Sequence, residues 1–338
     1  MGLVVSIIGL AVLIILALIG SSVPVLNFIF GVVIPYVAIS VFILGIIWRV
    51  IKWARAPVPF RITTTCGQEK SFDWIKQNKL DNPSGFWGVV GRMLLEVLLF
   101  RSLFRNTRTA IKDGKKLIYS VDIYLWFFAL LFHWSFLVIV LRHFRFFVEP
   151  VPDFVNWLQG IDGFFQVGLP IIFMTDALII FGLVFLAARR VFDRKVKYIS
   201  LASDYFPVLL ILAIAVTGII MRYFFKTDLI GVKEVVTSIL SFSPVSADAL
   251  ASLGGWFYVH FFLVCLLLIY FPTSKLMHMS GVFLSPTRNL ANNNRMKHHT
   301  NPWKKELNMP PHTYEEYEDE FRDVMAAVGL PLDKEVKK

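Results

Sequence analysis

The sequence predicts an all-α, polytopic membrane helix bundle, and three observations support this fold class. Hydrophobic residues make up 56% of the 338 positions and include 32 Phe, whereas soluble domains average about 45–50% apolar even when Gly is counted. The apolar residues are concentrated in six long segments. Lys and Arg are concentrated in alternate connections between those segments. We therefore expect a transmembrane bundle with a cytoplasmic loop region and a C-terminal cytoplasmic tail.

The apolar segments have the lengths of transmembrane helices. A bilayer core of about 30 Å is crossed by roughly 20 helical residues, and six segments qualify: 3–20, 27–48, 120–142, 164–187, 205–225 and 255–277. The sequence "GSSVP" predicts a tight turn between the first two. Segment 85–100 is also apolar, but Arg92 and Glu96 interrupt it. We expect that segment to form an amphipathic helix at the membrane interface instead.

The charge distribution predicts the orientation of these spans. Residues 49–116 carry 14 Lys and Arg against 5 Asp and Glu, and residues 188–199 carry 5 against 1. Loops 142–163 and 223–254 carry only 2 Lys or Arg each. Cytoplasmic loops are enriched in Lys and Arg. We therefore expect the chain to lie in the inner membrane of the cell, with both termini in the cytoplasm. The first apolar run lacks a basic leader, so we interpret it as a retained span.

Four regions follow from this pattern. They are two N-terminal transmembrane helices at 1–50, a basic cytoplasmic loop with an interfacial helix at 51–116, a four-helix transmembrane core at 117–280, and a tail at 281–338.

The tail contains one predicted amphipathic helix. Apolar residues fall on a single helical face, namely Tyr317, Phe321, Val324, Met325 and Val328. Gly329 and Pro331 are expected to end the helix. A lone amphipathic helix has nothing of its own to bury against. The tail is therefore expected to dock on a partner subunit, on the cytoplasmic loops or on the membrane surface.

Histidine is distributed unevenly along the chain. Three of the seven lie in the polar tail, and the other four lie in only two spans: His133 and His143 in the third, His260 and His278 in the sixth. A single intramembrane His often does no more than bond a backbone carbonyl. Four on two antiparallel helices favour haem binding, because a haem iron takes two axial imidazoles from opposite faces, each at about 2 Å.

The antiparallel direction of the two spans suggests how the histidines pair. The third span runs outward and the sixth inward, so His133 would meet His278 at the inner end and His143 would meet His260 at the outer end. At a rise of about 1.5 Å per residue, His133 and His143 lie about 15 Å apart along the third span. His260 and His278 lie about 27 Å apart along the sixth span, which is five full turns. Tilted helices or porphyrins must absorb this difference, so the spacing is compatible with the pairing without establishing it.

The His spacings of ten and eighteen, together with "LFH" at 131–133, resemble the NarI-like di-haem cytochrome b family, the gamma subunits of respiratory nitrate reductase. Segment 59–71, "PFRITTTCGQEKS", and the tail sequence "NNNRMKHHTNPW" are similar to the DsrM branch, the membrane cytochrome subunits of DsrMKJOP complexes of dissimilatory sulfur metabolism.

This resemblance implies two b haems, an inner one on His133 and His278 and an outer one on His143 and His260. It implies exchange of menaquinol and menaquinone beside the outer haem, and electron transfer to a cytoplasmic iron–sulfur subunit (DsrK/HdrD-like) within a larger membrane respiratory complex. The nitrate reductase relatives have Gly before the second His, where this chain has Arg142. The quinone pocket is therefore expected to differ in shape or charge.

Four further charged residues lie in or near the predicted spans. Arg142 and Asp176 are our candidates for the quinone pocket. Asp176 falls near the middle of the predicted fourth span, where a carboxylate must be paired or protonated. The alternative is a protonated Asp176 bonded to a backbone carbonyl or to Thr217. Arg142, Arg145 and Arg222 are candidates to neutralise haem propionates, against the alternative of snorkelling to the headgroups.

Other classes of function fit less well. The basic segments are explained by short cytoplasmic loops, so no nucleic acid partner is expected, and the two distant Cys make no disulfide framework. The alternatives are the cytochrome b anchor of a nitrate reductase or heterodisulfide-reductase-type enzyme and, in another class, a membrane transporter or non-redox anchor. Transporters usually show internal repeats and broken helices, and neither is evident here.

Overall fold

The computed structural model describes residues 1–56, 74–114, 116–165, 171–294, 297 and 313–334. The chain forms two compact units. One comprises Met1–Ala56 and Val90–Asn289, and the other comprises Pro57–Val89 and Leu290–Lys338. The first unit contains the long apolar helices, which confirms the predicted all-α membrane bundle.

The long helices of the first unit match the apolar segments in number and order. They are α1 (Gly2–Ser21), α2 (Ile34–Ala54), α5 (Ile123–His143), α7 (Met174–Phe192), α9 (Ala202–Tyr223) and α12 (Gly255–Tyr270). Among the residues that the structure describes, five helical segments are long and apolar enough to cross a membrane, namely all but α7. Helix α7 carries Asp176, Arg189 and Arg190 within its 19 residues. The total of six spans therefore stays a prediction.

The helices pack in a continuous series. Helix α5 packs on α7, α7 on α9, α9 on α12, and α12 on α2, while α1 lies against both α9 and α12. Buried apolar side chains fill the contact between α1, α9 and α12: Leu10, Ala17, Leu210, Val259 and Leu263. Large apolar side chains of α1 remain more than half exposed, including Val4, Val5, Ile8 and Ile15, as expected for a surface that faces lipid.

Shorter elements connect these helices. Helix α3 (Phe86–Leu99) and the short α4 (Arg101–Phe104) lead into strands β1 (Thr107–Lys112) and β2 (Lys116–Val121). Helix α6 (Asp153–Asp162) and strands β3 (Gly163–Phe165) and β4 (Ile172–Phe173) lie between α5 and α7. Helix α8 (Arg194–Ile199) follows α7. Helices α10 (Leu229–Leu240) and α11 (Ala247–Ser252) lie between α9 and α12. Helices α13 (His278–Leu284) and α14 (Pro286–Asn289) end the first unit.

Helix α3 corresponds to the predicted interfacial segment. Its two charged residues have partners within the first unit. Arg92 is buried and donates to the carbonyl of Arg288, and Glu96 accepts from Ser102 Oγ at 2.8 Å and pairs with Arg288 at 3.4 Å. Its placement at a membrane interface stays a prediction.

The antiparallel β1–β2 hairpin was not predicted, because residues 51–116 were interpreted as a loop with one helix. Its turn contains Asp113 and Gly114, both with positive φ (54° and 69°), a conformation that Asp-Gly sequences adopt readily. Asp122 joins the hairpin to the bundle. Its N–H donates to the carbonyl of Asn106, and its carboxylate pairs with Arg189 at 3.1 Å.

The predicted fourth span, 164–187, begins too early. The structure has the β3–β4 pairing before the helix, and α7 begins only at Met174. The sequence "GFFQVGLP" at 163–170 carries Gly163, Gly168 and Pro170, and Gly and Pro disfavour helix interiors. Asp176 consequently lies in the first turn of α7 rather than mid-span, which corrects its predicted location.

The sixth span is interrupted before its second histidine. Helix α12 ends at Tyr270, and two three-residue 3₁₀ turns follow, Phe271–Thr273 and Lys275–Met277, with Ser274 extended between them. His278 then begins α13. The assumption of five straight helical turns between His260 and His278 is therefore wrong.

A close helix contact lies beside the first histidine. At Gly182 of α7, an added Cβ would stand 3.1–3.3 Å from the Cβ and backbone atoms of Phe132. Phe132 precedes His133 on α5. Gly182 therefore sets how closely α5 and α7 approach at that level.

In the second unit, the predicted tail helix is present as α15 (Tyr314–Ala327), and Thr313 caps it by accepting from the Glu316 N–H. The backbone N–H groups of Asp333 and Lys334 donate to the Glu318 carboxylate, at 2.7 and 2.9 Å. These bonds hold the pKa of Glu318 below its usual range.

The apolar face predicted for α15 is mostly exposed. Tyr317, Phe321, Val324 and Val328 are exposed, whereas Met325 is buried.

Candidate haem and quinone site

Three of the four histidines lie on the helices at the two ends of the α5–α7–α9–α12 series, and the fourth, His278, lies just beyond α12. His133 is in the middle of α5 and His143 is its last residue, whereas His260 is in α12 and His278 begins α13. This arrangement brings side chains more than a hundred residues apart in sequence into two groups.

His133 and His278 are brought together. Their ring centroids are 6.0 Å apart, with an interplanar angle of 79°. Imidazole nitrogens bind metal ions at about 2.0–2.1 Å, so two rings on opposite sides of one iron have centroids about 6 Å apart. The rings of Phe100 and Phe132 stand edge-on to His133 at 4.9 and 4.7 Å. The separation fits two axial ligands of a single haem.

His143 and His260 form the second group. The two imidazoles are close enough to interact electrostatically, and the Phe146 ring lies 5.8 Å from that of His143. An added Cβ at Gly218 would stand 3.3 Å from His260 Cε1, so Gly218 leaves room for the ring. The predicted pairing of the four histidines stays a prediction, and both groups are compatible with it.

All four imidazoles share one hydrogen-bonding pattern. The Nδ1 atoms of His133, His143 and His278 lie 2.7, 2.7 and 2.9 Å from backbone carbonyls three or four residues earlier. His260 Nδ1 lies 3.0 Å from Thr217 Oγ1. Carbonyl oxygens only accept, so Nδ1 carries the proton. The lone pair is then on Nε2, which has no hydrogen-bond partner among the described residues.

This pattern is the one that metal-binding histidines use. A ligating imidazole donates its other N–H to a carbonyl or similar acceptor, which fixes the ring orientation and raises the basicity of the ligating nitrogen. A membrane histidine without a metal ligand role also needs one such hydrogen bond, so a single case would not indicate metal binding. Here all four imidazoles leave the same atom, Nε2, without a hydrogen-bond partner among the described residues. The residues present therefore fit the binding of haem iron at both groups.

The acceptor of His260 differs from the other three because it is a side chain. Thr217 Oγ1 lies 2.9 and 3.0 Å from the carbonyls of Ala213 and Ile214, to which it donates its one proton. Its oxygen therefore accepts from His260 Nδ1–H. The alternative in which Thr217 bonds a protonated Asp176 is wrong.

Arg142 is the centre of a buried ionic cluster beside His143. Its guanidinium donates to Asp176 Oδ1 at 2.9 Å, lies 3.2 Å from Asp162 Oδ2, and lies 3.7 Å from the centre of the Phe173 ring. Thr175 is bound to the same Asp162, with Oγ1 to Oδ2 at 2.6 Å. The predicted neighbours Arg142 and Asp176 are thus in direct contact.

Tyr223 completes the coordination of Asp176. Its hydroxyl lies 2.8 Å from Asp176 Oδ2 and donates to it, and the Phe173 N–H donates to the Tyr223 oxygen at 3.2 Å. Each Asp176 oxygen therefore accepts a hydrogen bond, one from Arg142 and one from Tyr223. Asp176 is held as a paired carboxylate rather than left as an isolated one.

Arg145 and Arg222 lie near this cluster but lack a carboxylate partner among the described residues. Arg145 donates to Gln159 Oε1. Arg222 donates to the Ile171 carbonyl at 3.1 Å and stacks on the Phe173 ring at 4.1 Å. The Nε atoms of both guanidiniums are buried without a hydrogen-bond partner. Arg142 Nε is unpartnered in the same way, but Arg142 already pairs with two carboxylates. Arg145 and Arg222 are therefore the cations available to an anionic ligand.

Sequence inspection missed Asp162, Phe173, Thr175 and Tyr223 as members of this site. Asp162 and Tyr223 fall at the ends of helices α6 and α9, where polar residues are unremarkable. They become significant only because the β3–β4 pairing turns the chain back towards Arg142. No motif in the sequence indicates this contact.

The arrangement defines a class of protein, a membrane helix bundle with four histidines in two groups. Residues 86–294 match the family described as nitrate reductase gamma subunit, and the chain belongs to that family.

Two curated relatives are similar over most of their length. An "Hdr-like menaquinol oxidoreductase cytochrome b-like subunit" of Archaeoglobus fulgidus is 45% identical over 284 residues, which cover 81% of this chain and 83% of the relative. A protein of the same description from Archaeoglobus profundus is 45% identical over 282 residues, covering 82% and 83%.

Proposed function

We propose that this chain is the di-haem b membrane subunit of a menaquinol-dependent oxidoreductase complex. The observation that carries the proposal is the shared state of the four histidines, each with Nδ1 engaged and Nε2 free. The membrane helices, the family and the description of the two relatives as cytochrome b-like subunits support it. His133 and His278 would hold the inner haem, and His143 and His260 the outer one.

The bound haems would supply one-electron redox centres within the membrane. The residues of the chain do the rest. The four imidazoles bind the irons and are held in orientation by their Nδ1 acceptors. The rings of Phe100 and Phe132 pack against His133, and that of Phe146 packs against His143. Arg145 and Arg222, whose guanidiniums have donors to spare, would bind propionates of the outer haem.

The menaquinol site is proposed beside His143, at the cluster of Arg142 and Asp176. Menaquinol is inferred from the description of the relatives. Arg142 would donate to an oxygen of the quinone ring, and Asp176 with Tyr223 would hold Arg142 in place. The two carboxylates contact the Nη atoms of Arg142, so its Nε–H, which is buried without a hydrogen-bond partner, is the donor that would bind the quinone oxygen.

Electron transfer from this end towards His133 and His278 would move negative charge across the membrane. Each charge moved against a potential of 100 mV costs about 2.3 kcal/mol. If the His143 end faces outward as the loop charges predict, quinol oxidation there would be coupled to the membrane potential.

The electron acceptor is proposed to be a cytoplasmic iron–sulfur subunit of the DsrK/HdrD type, in a complex of the sulfur-metabolism branch. The tail would help to bind it, because Val324 and Val328 of α15 and its flank are exposed apolar side chains. Deletion of residues 311–338 should leave the haem content unchanged and weaken the association of that subunit. Full retention of the subunit would make the tail dispensable for docking.

One experiment tests the haem assignment. The purified chain should show a Soret band and a pyridine haemochrome corresponding to two b haems. His133→Ala and His278→Ala should lose the same haem, and His143→Ala and His260→Ala the other, as resolved by redox titration. His312→Ala, in the polar tail, is the matched control and should lose neither.

Other outcomes identify the alternatives. A protein without a Soret band would be a transporter or a non-redox anchor. Loss of the same haem in His143→Ala and His278→Ala would contradict the pairing. Mass spectrometry of co-purifying subunits distinguishes a nitrate reductase or heterodisulfide-reductase-type anchor from the sulfur branch.

The quinol site has its own test. Stopped-flow reduction by a menaquinol analogue should be slowed in His143→Ala, and in Arg142→Gln with both haems present. If His143→Ala reduced its remaining haem at the wild-type rate, the site would lie elsewhere.

A further inference from the structure

His278 differs from the other three histidines in how its backbone is supported. His133, His143 and His260 belong to helices of 16 residues or more. His278 follows a 3₁₀ turn of only three residues, Lys275–Met277. Such turns have poor hydrogen-bond geometry and do not persist in longer runs, so the position of His278 depends on contacts made by that turn.

The turn is attached to the bundle by an ion pair. Lys275 Nζ lies 2.6 Å from Asp204 Oδ1, and the backbone carbonyl of the same Lys275 accepts from His278 Nδ1 at 2.9 Å. Lys275 thus binds the Asp204 carboxylate through its side chain and the His278 imidazole through its backbone carbonyl. Asp204 is buried, with 9% of its surface exposed.

Asp204 is itself fixed in place. Its Oδ2 accepts from the Leu201 N–H at 3.0 Å at the start of α9, and Arg190 of α7 lies 4.0 Å from Oδ1. The Tyr205 hydroxyl donates to the Arg190 carbonyl at 2.9 Å. The carboxylate therefore joins the end of α7, the start of α9 and the turn that carries His278.

We propose that the Asp204–Lys275 ion pair is a positioning element for His278 and balances charge beside it. This inference rests on the proposed role of His278 as an axial ligand. Asp204 and Lys275 do not touch the iron or the quinone; they act through the Lys275 carbonyl and through their charges. A negative charge near a haem favours its oxidised form, and a positive charge favours its reduced form.

The two single substitutions therefore have opposite expected effects. Asp204→Asn keeps the size of the side chain and an oxygen for the Leu201 N–H, but it leaves Lys275 and Arg190 without their anion. The midpoint potential of the His133–His278 haem should rise. Lys275→Gln leaves Asp204 without its nearer cation, and the same potential should fall.

The measurement is a redox titration of the purified full-length protein, with haem content determined in parallel. The His143–His260 haem is an internal control and should keep its potential in both variants. Asp113→Asn, which removes an equal charge at the tip of the β1–β2 hairpin, should shift neither haem. Asp204→Glu and Lys275→Arg retain the charges and should remain near the wild-type potential.

Several outcomes decide the inference. Opposite shifts confined to one haem support it, as does loss of that haem in Asp204→Asn with retention in Asp204→Glu. Unchanged potentials in both variants overturn it, as do equal shifts of both haems or shifts of the same sign. Retention of two haems by His278→Ala would instead contradict the proposed ligand assignment, so the two failures are distinguishable.

Discussion

Thr217 provides the sharpest test of how the histidines are prepared for iron. Three of the four Nδ1 acceptors are backbone carbonyls, which no substitution removes, whereas the acceptor of His260 is the Thr217 hydroxyl at 3.0 Å. Thr217→Val keeps the shape of the side chain and deletes the acceptor. The backbone carbonyls of Ala213 and Ile214, to which Thr217 Oγ1 lies close, belong to α9 and keep their helical hydrogen bonds.

The magnitude follows from what His260 loses. Removing a partner of a metal-bound imidazole typically costs 10- to 100-fold in metal affinity, which corresponds to about 1.4–2.8 kcal/mol. The Thr217→Val protein should therefore bind its His143–His260 haem about 10- to 100-fold more weakly, with a raised midpoint potential because the imidazole is less basic.

The assay is the rate and extent of haem transfer to an excess of apomyoglobin, followed by absorbance, with a redox titration of the same sample. Thr217→Ser keeps the hydroxyl and is the matched control. The His133–His278 haem should be unaffected in both variants. If Thr217→Val retained both haems with wild-type affinity and potential, the Nδ1 bond to Thr217 would not support an axial ligand.

Three other substitutions have effects that the structure specifies. Arg142→Gln removes the cation between two buried carboxylates and should cost about 3–5 kcal/mol of stability, measured as thermal unfolding of the solubilised protein; Arg145→Gln should cost much less. Gly182→Ala overpacks the contact of α7 with α5 and should cost about 1–3 kcal/mol, whereas Gly9→Ala, with no atom within 4 Å of the new Cβ, should be neutral. Glu318→Gln should speed amide exchange at the two N–H groups that its carboxylate binds. Because the folded pKa of Glu318 is lowered, protection in the wild type should be present above the ordinary carboxyl pKa and be lost as pH falls through the folded value, after correction for intrinsic exchange.

Hydropathy located the helices because a helix that crosses the bilayer must have an apolar sequence. A spanning helix must be apolar over its whole length, so six apolar segments were visible without any tertiary information. Five of them coincide with helices of the described residues that are long and apolar enough to cross a membrane. Span four was misplaced by the same criterion. Its N-terminal part is apolar, yet Gly163, Gly168 and Pro170 are poor helix formers, and hydropathy alone did not show that the helix begins only at Met174.

The β1–β2 hairpin carried a local signal that its basic composition obscured. Strand-like residues flank Asp113-Gly114, a pair that favours turns with positive φ. Net charge led us to interpret the segment as a cytoplasmic loop, and that interpretation gave no reason to look for strands.

Two residues of the ionic cluster at Arg142 were predicted and two were not. Asp176 was identified because charge is expensive in a membrane, and Arg142 because the nitrate reductase relatives have Gly at that position. Asp162 and Tyr223 lie at the ends of helices, where the same argument gives no signal. Their contribution depends on how the chain between α6 and α7 turns back, which is a property of tertiary structure.

The interruption after α12 explains how unequal sequence spacings can serve two matched pairs. On α5, His133 and His143 are joined by continuous helix, so their separation along the axis is set at about 15 Å by the helical rise. Eighteen residues of straight helix would place the other two about 27 Å apart. Because the chain leaves the axis of α12 at Phe271 and restarts at Lys275, the helical rise does not dictate the position of His278. Its ring instead stands 6.0 Å from that of His133. The continuous helix α5 thus fixes the spacing of His133 and His143, whereas the interruption after α12 allows His278 to lie beside His133. The short turn Lys275–Met277 that precedes His278 is held by contacts outside its own backbone.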